Sequence, residues 1–193
     1  DIINKQAQYL SKTIDDFRNF IKNEKDIKTL SLKDTLDKTL SILHPSMINN
    51  NITLISDLKD DMNVEGYENE IIQSFINIIN NAKDAIKENV KSDEKLIFIN
   101  SVQQDSSSLS IIIKDNGGGI PDNVIHRIFE PYFTTKNKST GTGIGLSMTY
   151  KMLVERHHAL IDVYNEEYIY NDKNYKGACF KITFNKNSPT NIN

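Results

Sequence analysis

Apolar residues in the first stretch, Ile3, Ala7, Leu10, Ile14, Phe17 and Ile21, recur at intervals of 4, 3, 4, 3 and 4 with no proline or glycine between them. That spacing predicts a helix over residues 1–24 with a narrow apolar seam. Such a seam suits a bundle or dimer better than a terminal helix lying on its own domain. The pattern then changes. "TLSL" reads as a short strand, Leu32 to Leu43 as a helix stopped near Pro45, and "NITLIS" as an alternating strand. Glu65 to Glu88 reads as a long helix with Ile71, Phe75, Ile78, Ile79, Ala82 and Ile86 on one face. "KLIFINSV" and "SLSIIIK" are β-branched runs joined by "QQDSSS", a predicted hairpin. Helical periodicity returns from Gly145 to Glu155, and "LIDVYN" and "ACFKITF" follow as strands before a polar tail. Helices alternate with strands, but the hairpins argue against a purely parallel sheet. The expected fold class is α+β, an α/β sandwich with a mixed sheet covered on one face by about three helices.

Composition narrows the picture. The 193 residues are 38% hydrophobic and 25% charged with a net charge of −3, which fits one good-sized domain or one domain plus an appendage. This balance gives no electrostatic ground for nucleic-acid or membrane contact. A single cysteine, Cys179, leaves no intrachain disulfide and fits a reducing compartment. No apolar run is long enough to span a bilayer, and there is no signal-peptide pattern. Because the sequence opens on Asp1, it is read as a piece of a larger protein.

Six of the eight glycines fall between Asp115 and Leu146. The first cluster follows a strand directly, Asp115-Asn116-Gly117-Gly118-Gly119-Ile120-Pro121, and holds more glycine than a hairpin turn needs. A carboxylate at a strand end can accept a hydrogen bond from an exocyclic amine such as that of adenine. The second cluster, Gly141-Thr142-Gly143-Ile144-Gly145-Leu146, opens a helix, where free N–H groups and the helix dipole favour phosphate. Its GxGxG spacing has no leading strand and no following Lys-Ser/Thr pair, so neither a Rossmann nor a P-loop reading holds. Between the clusters, Phe129 and Phe133 can anchor a hinged lid from which Lys136 reaches a terminal phosphate. The long helix carries a polar stripe, Glu70, Ser74, Asn77, Asn81, Asp84 and Glu88. A solvated face would explain most such stripes, but mid-helix asparagines are poor formers, and their amide oxygens suit Mg²⁺.

In order and spacing, "NIINNAKDA", "DNGGGIP", "FEPYFTTK", "GTGIGL" and "GACF" resemble the N, G1, F, G2 and G3 boxes of sensor histidine kinases. "TIDDFRNF" resembles the second helix of their dimerisation and phosphotransfer domain. The resemblance implies a Bergerat-type catalytic ATP-binding domain over residues 27–187, preceded by a bundle helix at 1–26 and followed by a disordered tail at 188–193. It implies that Asn81 holds Mg²⁺, with Asn77 near the phosphates and Asp84 and Ala85 beside the nucleotide. Asp115 would take the adenine amine, with Gly117, Gly119 and Ile120 at close approach. Phe133 and Thr134 would belong to the lid. Lys136 and Gly141, Thr142, Gly143, Ile144, Gly145 and Leu146 would hold the phosphates.

The family's activity is transfer of the ATP γ-phosphate to a histidine and then to an aspartate of a response regulator. Here His44, His126, His157 and His158 all lack the acceptor setting. The acceptor helix is therefore expected upstream, and this chain is expected to bind Mg·ATP without phosphorylating itself. Its implied partners are that acceptor helix, a response regulator and a second copy in the intact dimer. Alone it is expected to be a monomer or weak dimer in the cytoplasm, with or without a membrane anchor on the parent protein. Gyrase, mismatch-repair and Hsp90-like relatives place a glutamate base where Asn77 falls. An amide cannot activate water that way, which favours transfer over hydrolysis. A non-catalytic nucleotide-binding module and a serine-directed anti-sigma-factor kinase are the alternatives. "RHHALIDVYN" departs from the family's His-Gly-Gly turn, so the helix before it must end by another geometry.

Overall fold

The computed structural model describes residues 27–92, 94–136 and 141–186; the expected seam helix and tail lie outside them. Strand β1 (Lys28–Ser31) runs straight into helix α1 (Leu32–Asn49), which Ser31 caps by accepting from the Asp34 N–H at 3.0 Å. Strand β2 (Ile52–Asp57) follows, then β3 (Asn63–Gly66), helix α2 (Glu68–Asn89) and the hairpin β4 (Lys95–Gln103) and β5 (Ser108–Asp115). Helix α3 (Gly145–Tyr150) continues as a π-type turn over Lys151–Arg156 and leads into β6 (Leu160–Tyr170) and β7 (Lys173–Asn185).

The main sheet has the order β2-β4-β5-β7-β6; β2 and β4 are parallel and every other pair antiparallel. One sheet face, including Ile97, Ile99, Ile111, Ile113, Phe180 and Ile182, packs against the helices. The predicted face of α2 supplies the other half of this core, with Ile71, Phe75, Ile78, Ile79 and Ile86 fully buried. Phe75 meets the Phe184 ring edge-on at 6.4 Å. This is the mixed α+β sandwich expected. No helix among the described residues is long and apolar enough to cross a membrane.

Three local expectations fail for identifiable reasons. Helix α1 passes through Pro45 to Asn49, because buried Leu43 and Met47 hold its last turns on the core. That packing outweighs the loss of one i→i−4 hydrogen bond. Helix α2 starts at Glu68 rather than Glu65, since residues 63–66 pair with β1 as an unanticipated strand. Strands β6 and β7 extend well beyond their apolar runs to a tight turn at Asn171 and Asp172, both with positive φ. The helix before β6 ends without glycine: His158 itself takes φ 52°, and the His157 N–H reaches Met152 O at 3.2 Å.

His157 ties this corner together. Its Nε2 accepts the Tyr67 N–H at 3.0 Å, which leaves Nδ1–H to donate to Met152 O at 2.6 Å. Burial holds its pKa below 6.5, so the ring is neutral in the fold. Replacing His157 with Ala strands two buried backbone groups and should cost about 2–4 kcal/mol in urea unfolding at pH 7.5. The stability conferred by the neutral ring is fully present above the unfolded pKa of 6.5 and is lost as pH falls below it. The gap between parent and His157→Ala should accordingly narrow on acidification.

Candidate functional site

The polar side of α2, the end of β5, the segment running on from Gly119 and the start of α3 enclose a cleft of about 500 Å³. Asp115 lies at its floor, only 3% exposed. Its Oδ1 accepts the Gly117 N–H at 2.7 Å and the Ala178 N–H at 3.3 Å. Burial pushes the carboxyl from an ordinary 3.8 up to about 6, against the lowering effect of those two donors. Gly117 sits behind Asp115 and does not line the cleft; a Cβ there would lie 2.9 Å from that of Ala85. Gly119, with φ +89°, and Ile120 do line it, as do Asp84 and Ala85.

The asparagine stripe is not a solvated face. Asn77 Nδ2 donates to Gly145 O at 3.2 Å and to Thr149 Oγ1 at 3.3 Å, fastening α3 to α2, while its Oδ1 accepts from Gln73. One turn on, Asn81 Oδ1 and Asp84 Oδ2 both accept from the Lys136 ammonium, at 3.1 and 2.8 Å. Lys136 thereby draws the lid segment onto the helix. Thr134 Oγ1 accepts the Lys136 N–H at 3.1 Å. Phe133 packs on the core beneath the Arg127 guanidinium, 4.6 Å from the ring centre.

The second glycine cluster answers to its protein neighbours. A Cβ on Gly141 would stand 2.5 Å from Thr134 Oγ1, and one on Gly143 (φ +65°) 2.5 Å from the Tyr132 carbonyl carbon. The Tyr132 N–H donates to Gly143 O at 2.9 Å, and Tyr132 itself takes φ 65°. Gly145 stands across from Asn77, and a Cβ there would meet the Asn77 amide carbon at 3.8 Å, an ordinary van der Waals contact. Thr142 and Leu146 line the cleft, whereas Ile144 is the residue before α3 and does not.

Asn80, another of the mid-helix asparagines, lines the cleft too, as do Gln73, Asn89, Ala178 and Phe180, which were not anticipated. Gln73 and Asn89 stand one turn outside Asn77 and Ala85, so extending the stripe by i±4 would have found them. Ala178 and Phe180 are alternate residues of a strand whose partner, β5, is named only by the fold. No histidine lines the cleft: His44 and His126 are exposed, and His157 is committed to the backbone.

A family model described as histidine kinase-, DNA gyrase B-, and HSP90-like ATPase matches residues 66–188. Sporulation kinase A of Bacillus subtilis is 34% identical over 158 residues, which are 81% of this chain and 23% of that protein. Sporulation kinase E of the same organism is 34% identical over 156 residues, 80% of this chain and 19% of that one. The chain thus spans about a fifth to a quarter of the length of these relatives. The catalytic domain of histidine kinase ThkA superposes with TM-score 0.67 at 23% identity, covering 83% of this chain and 98% of that one. ThkA in complex with the response regulator protein TrrA gives TM-score 0.67 at 21% identity over 97% of this chain and 50% of that one.

A carboxyl whose pKa rises on folding stabilises the fold below its unfolded pKa and loses that contribution as pH climbs through its folded value. The move from 3.8 to about 6 corresponds to about 3 kcal/mol lost between pH 4 and 7. Unfolding curves of Asp115→Asn should lack this loss, leaving the variant at least as stable as the parent at pH 7.

Proposed function

The chain belongs to the histidine kinase-, DNA gyrase B-, and HSP90-like ATPase family, and we propose that it is the ATP-binding catalytic portion of a sensor histidine kinase. In this reading residues 27–187 are the catalytic domain, and residues 1–26, outside the described residues, belong to the dimerisation and phosphotransfer domain. One observation carries this reading: Asp115, on the floor, and Lys136, on the opposite wall, line a single cleft and would read base and phosphate respectively. The buried carboxylate accepts the adenine amine, while Lys136 and the first turn of α3 take the phosphates.

Mg²⁺ fits the donor set. Asn81 and Asp84 already share a positive charge, the Lys136 ammonium, between two hard oxygens. No group of three or more His, Cys, Asp or Glu suited to a metal occurs among the described residues. The ion would therefore take Asn81 and complete its shell with phosphate and water. When bound, it neutralises charge on the transferred phosphoryl group. The chain's own residues hold and orient ATP and exclude water under the lid. Asn77 has no basic lone pair and is committed to α3, so nothing at that position draws a proton from water. In the intact protein the γ-phosphoryl bond to ADP breaks as a bond to an acceptor histidine forms, and the phosphoryl group then passes to a response-regulator aspartate. Similarity to the sporulation kinases and to ThkA, solved with TrrA, supports this assignment.

Calorimetric titration should show Mg·ATP binding to the parent chain, with affinity reduced at least tenfold in Asp115→Asn and Asn81→Ala. Adenosine, which carries no titrating phosphate, should bind more tightly as pH rises through about 6 and Asp115 ionises. No binding by a folded parent chain would defeat the reading. Extended upstream with its acceptor helix, the protein should take label from γ-labelled ATP in an acid-labile form. Acid-stable label would indicate serine transfer, and no label a binding module.

A further inference from the structure

Strand β6 contributes nothing to the cleft lining, yet two of its side chains hold both ends of the turn that carries the base reader and starts the lid. Asn165 Oδ1 accepts the Ile120 N–H at 2.7 Å, and its Nδ2 donates to Ile120 O, also at 2.7 Å. A side-chain amide thus imitates one rung of a sheet at the root of the lid. The same Nδ2 reaches Asp122 at 3.4 Å. Gly119 lies directly against this clamp, since a Cβ there would stand 2.5 Å from Asn165 Oδ1.

At the other end, the β5–β7 ladder stops at Lys114 and Cys179, one residue short of Asp115. The Asp115 main-chain carbonyl has passed the last rung, and Tyr168 Oη donates to it at 2.9 Å. The hydroxyl reaches it across β7 because Gly177 has no side chain: a Cβ there would fall 1.6 Å from Asp115 O. The Tyr168 ring is itself fixed, stacked on Tyr175 at 5.8 Å, edge-on to Phe98 at 5.5 Å and capped by the Lys114 ammonium at 4.0 Å.

We propose that Asn165 and Tyr168 are positioning residues of the nucleotide site, Tyr168 setting the base reader and Asn165 setting the root of the lid. The inference rests on the ATP reading above. It assigns the two residues separable effects: Tyr168 acts through Asp115 on the base, and Asn165 acts through Ile120 on what the lid covers.

The test is a crossed titration of parent, Tyr168→Phe and Asn165→Ala with adenosine, purine riboside lacking the exocyclic amine, and Mg·ATP. Thermal unfolding is recorded for each protein. Tyr168→Phe should reduce the preference for adenosine over purine riboside by about fivefold, the worth of about one hydrogen bond. Asn165→Ala should leave that preference intact, weaken ATP by about fivefold or more relative to adenosine, and speed ATP release. Without nucleotide, Asn165→Ala should also accelerate amide exchange at residues 118–122 by about tenfold, a readout independent of binding. Variants that lower the unfolding temperature but keep both ligand ratios and the exchange rates of the parent overturn the proposal. A folded parent that binds none of the ligands overturns the ATP reading and this inference with it.

Discussion

A buried carboxylate at the end of a central strand is the constraint around which this fold is arranged. Asp115 cannot remain ionised on the cleft floor without donors, and the Gly117 and Ala178 N–H groups supply them only if β5 ends where it does. The same residue's carbonyl claims the space where residue 177 would carry a side chain. Asn116 next pins the chain back onto β4, with its amide on Leu96 N–H and Glu94 O. Residues 115–117 are thus fixed by neighbours on both flanking strands. A charge that burial disfavours is kept in place by the backbone geometry of three strands.

Much of this architecture was legible in the sequence because the apolar positions that define it are local and periodic. The core face of α2 and the β4–β5 hairpin needed no tertiary information. Pro45 misled because a local rule was applied where packing of Leu43 and Met47 decides the outcome. Strand β3 was invisible for the opposite reason: four residues with no apolar alternation become a strand only because β1 lies beside them. The long β6–β7 hairpin was underestimated because its outer half is polar and aromatic and its turn uses Asn171 and Asp172 in place of glycine.

The candidate site divides in the same way. Its residues on α2 and in the two glycine clusters could be read from motif and spacing, and nearly all of them meet in one cleft. What could not be read was what each glycine is for. Gly117 is held to glycine by Ala85 on α2, and Gly141 and Gly143 by Thr134 and Tyr132, contacts that exist only once the chain is folded. Asn165 and Tyr168 belong to no motif and lie some fifty residues from the backbone they hold, so only the sheet order brings them into play.

Lys136 gives the site a further property. With its ammonium between Asn81 and Asp84, the lysine spans the cleft from lid to helix through an internal ion pair. A cation approaching those oxygens must release the lysine, and a released lysine gains most from an anion. Reciprocally, an anion that takes the lysine leaves two oxygens on α2 without their positive partner. Anion and cation are thermodynamically linked through one side chain, each raising the other's affinity by the same factor. Selectivity for a metal-complexed polyanion over either species alone then follows from an exchange of partners, with no need for a dedicated metal cage.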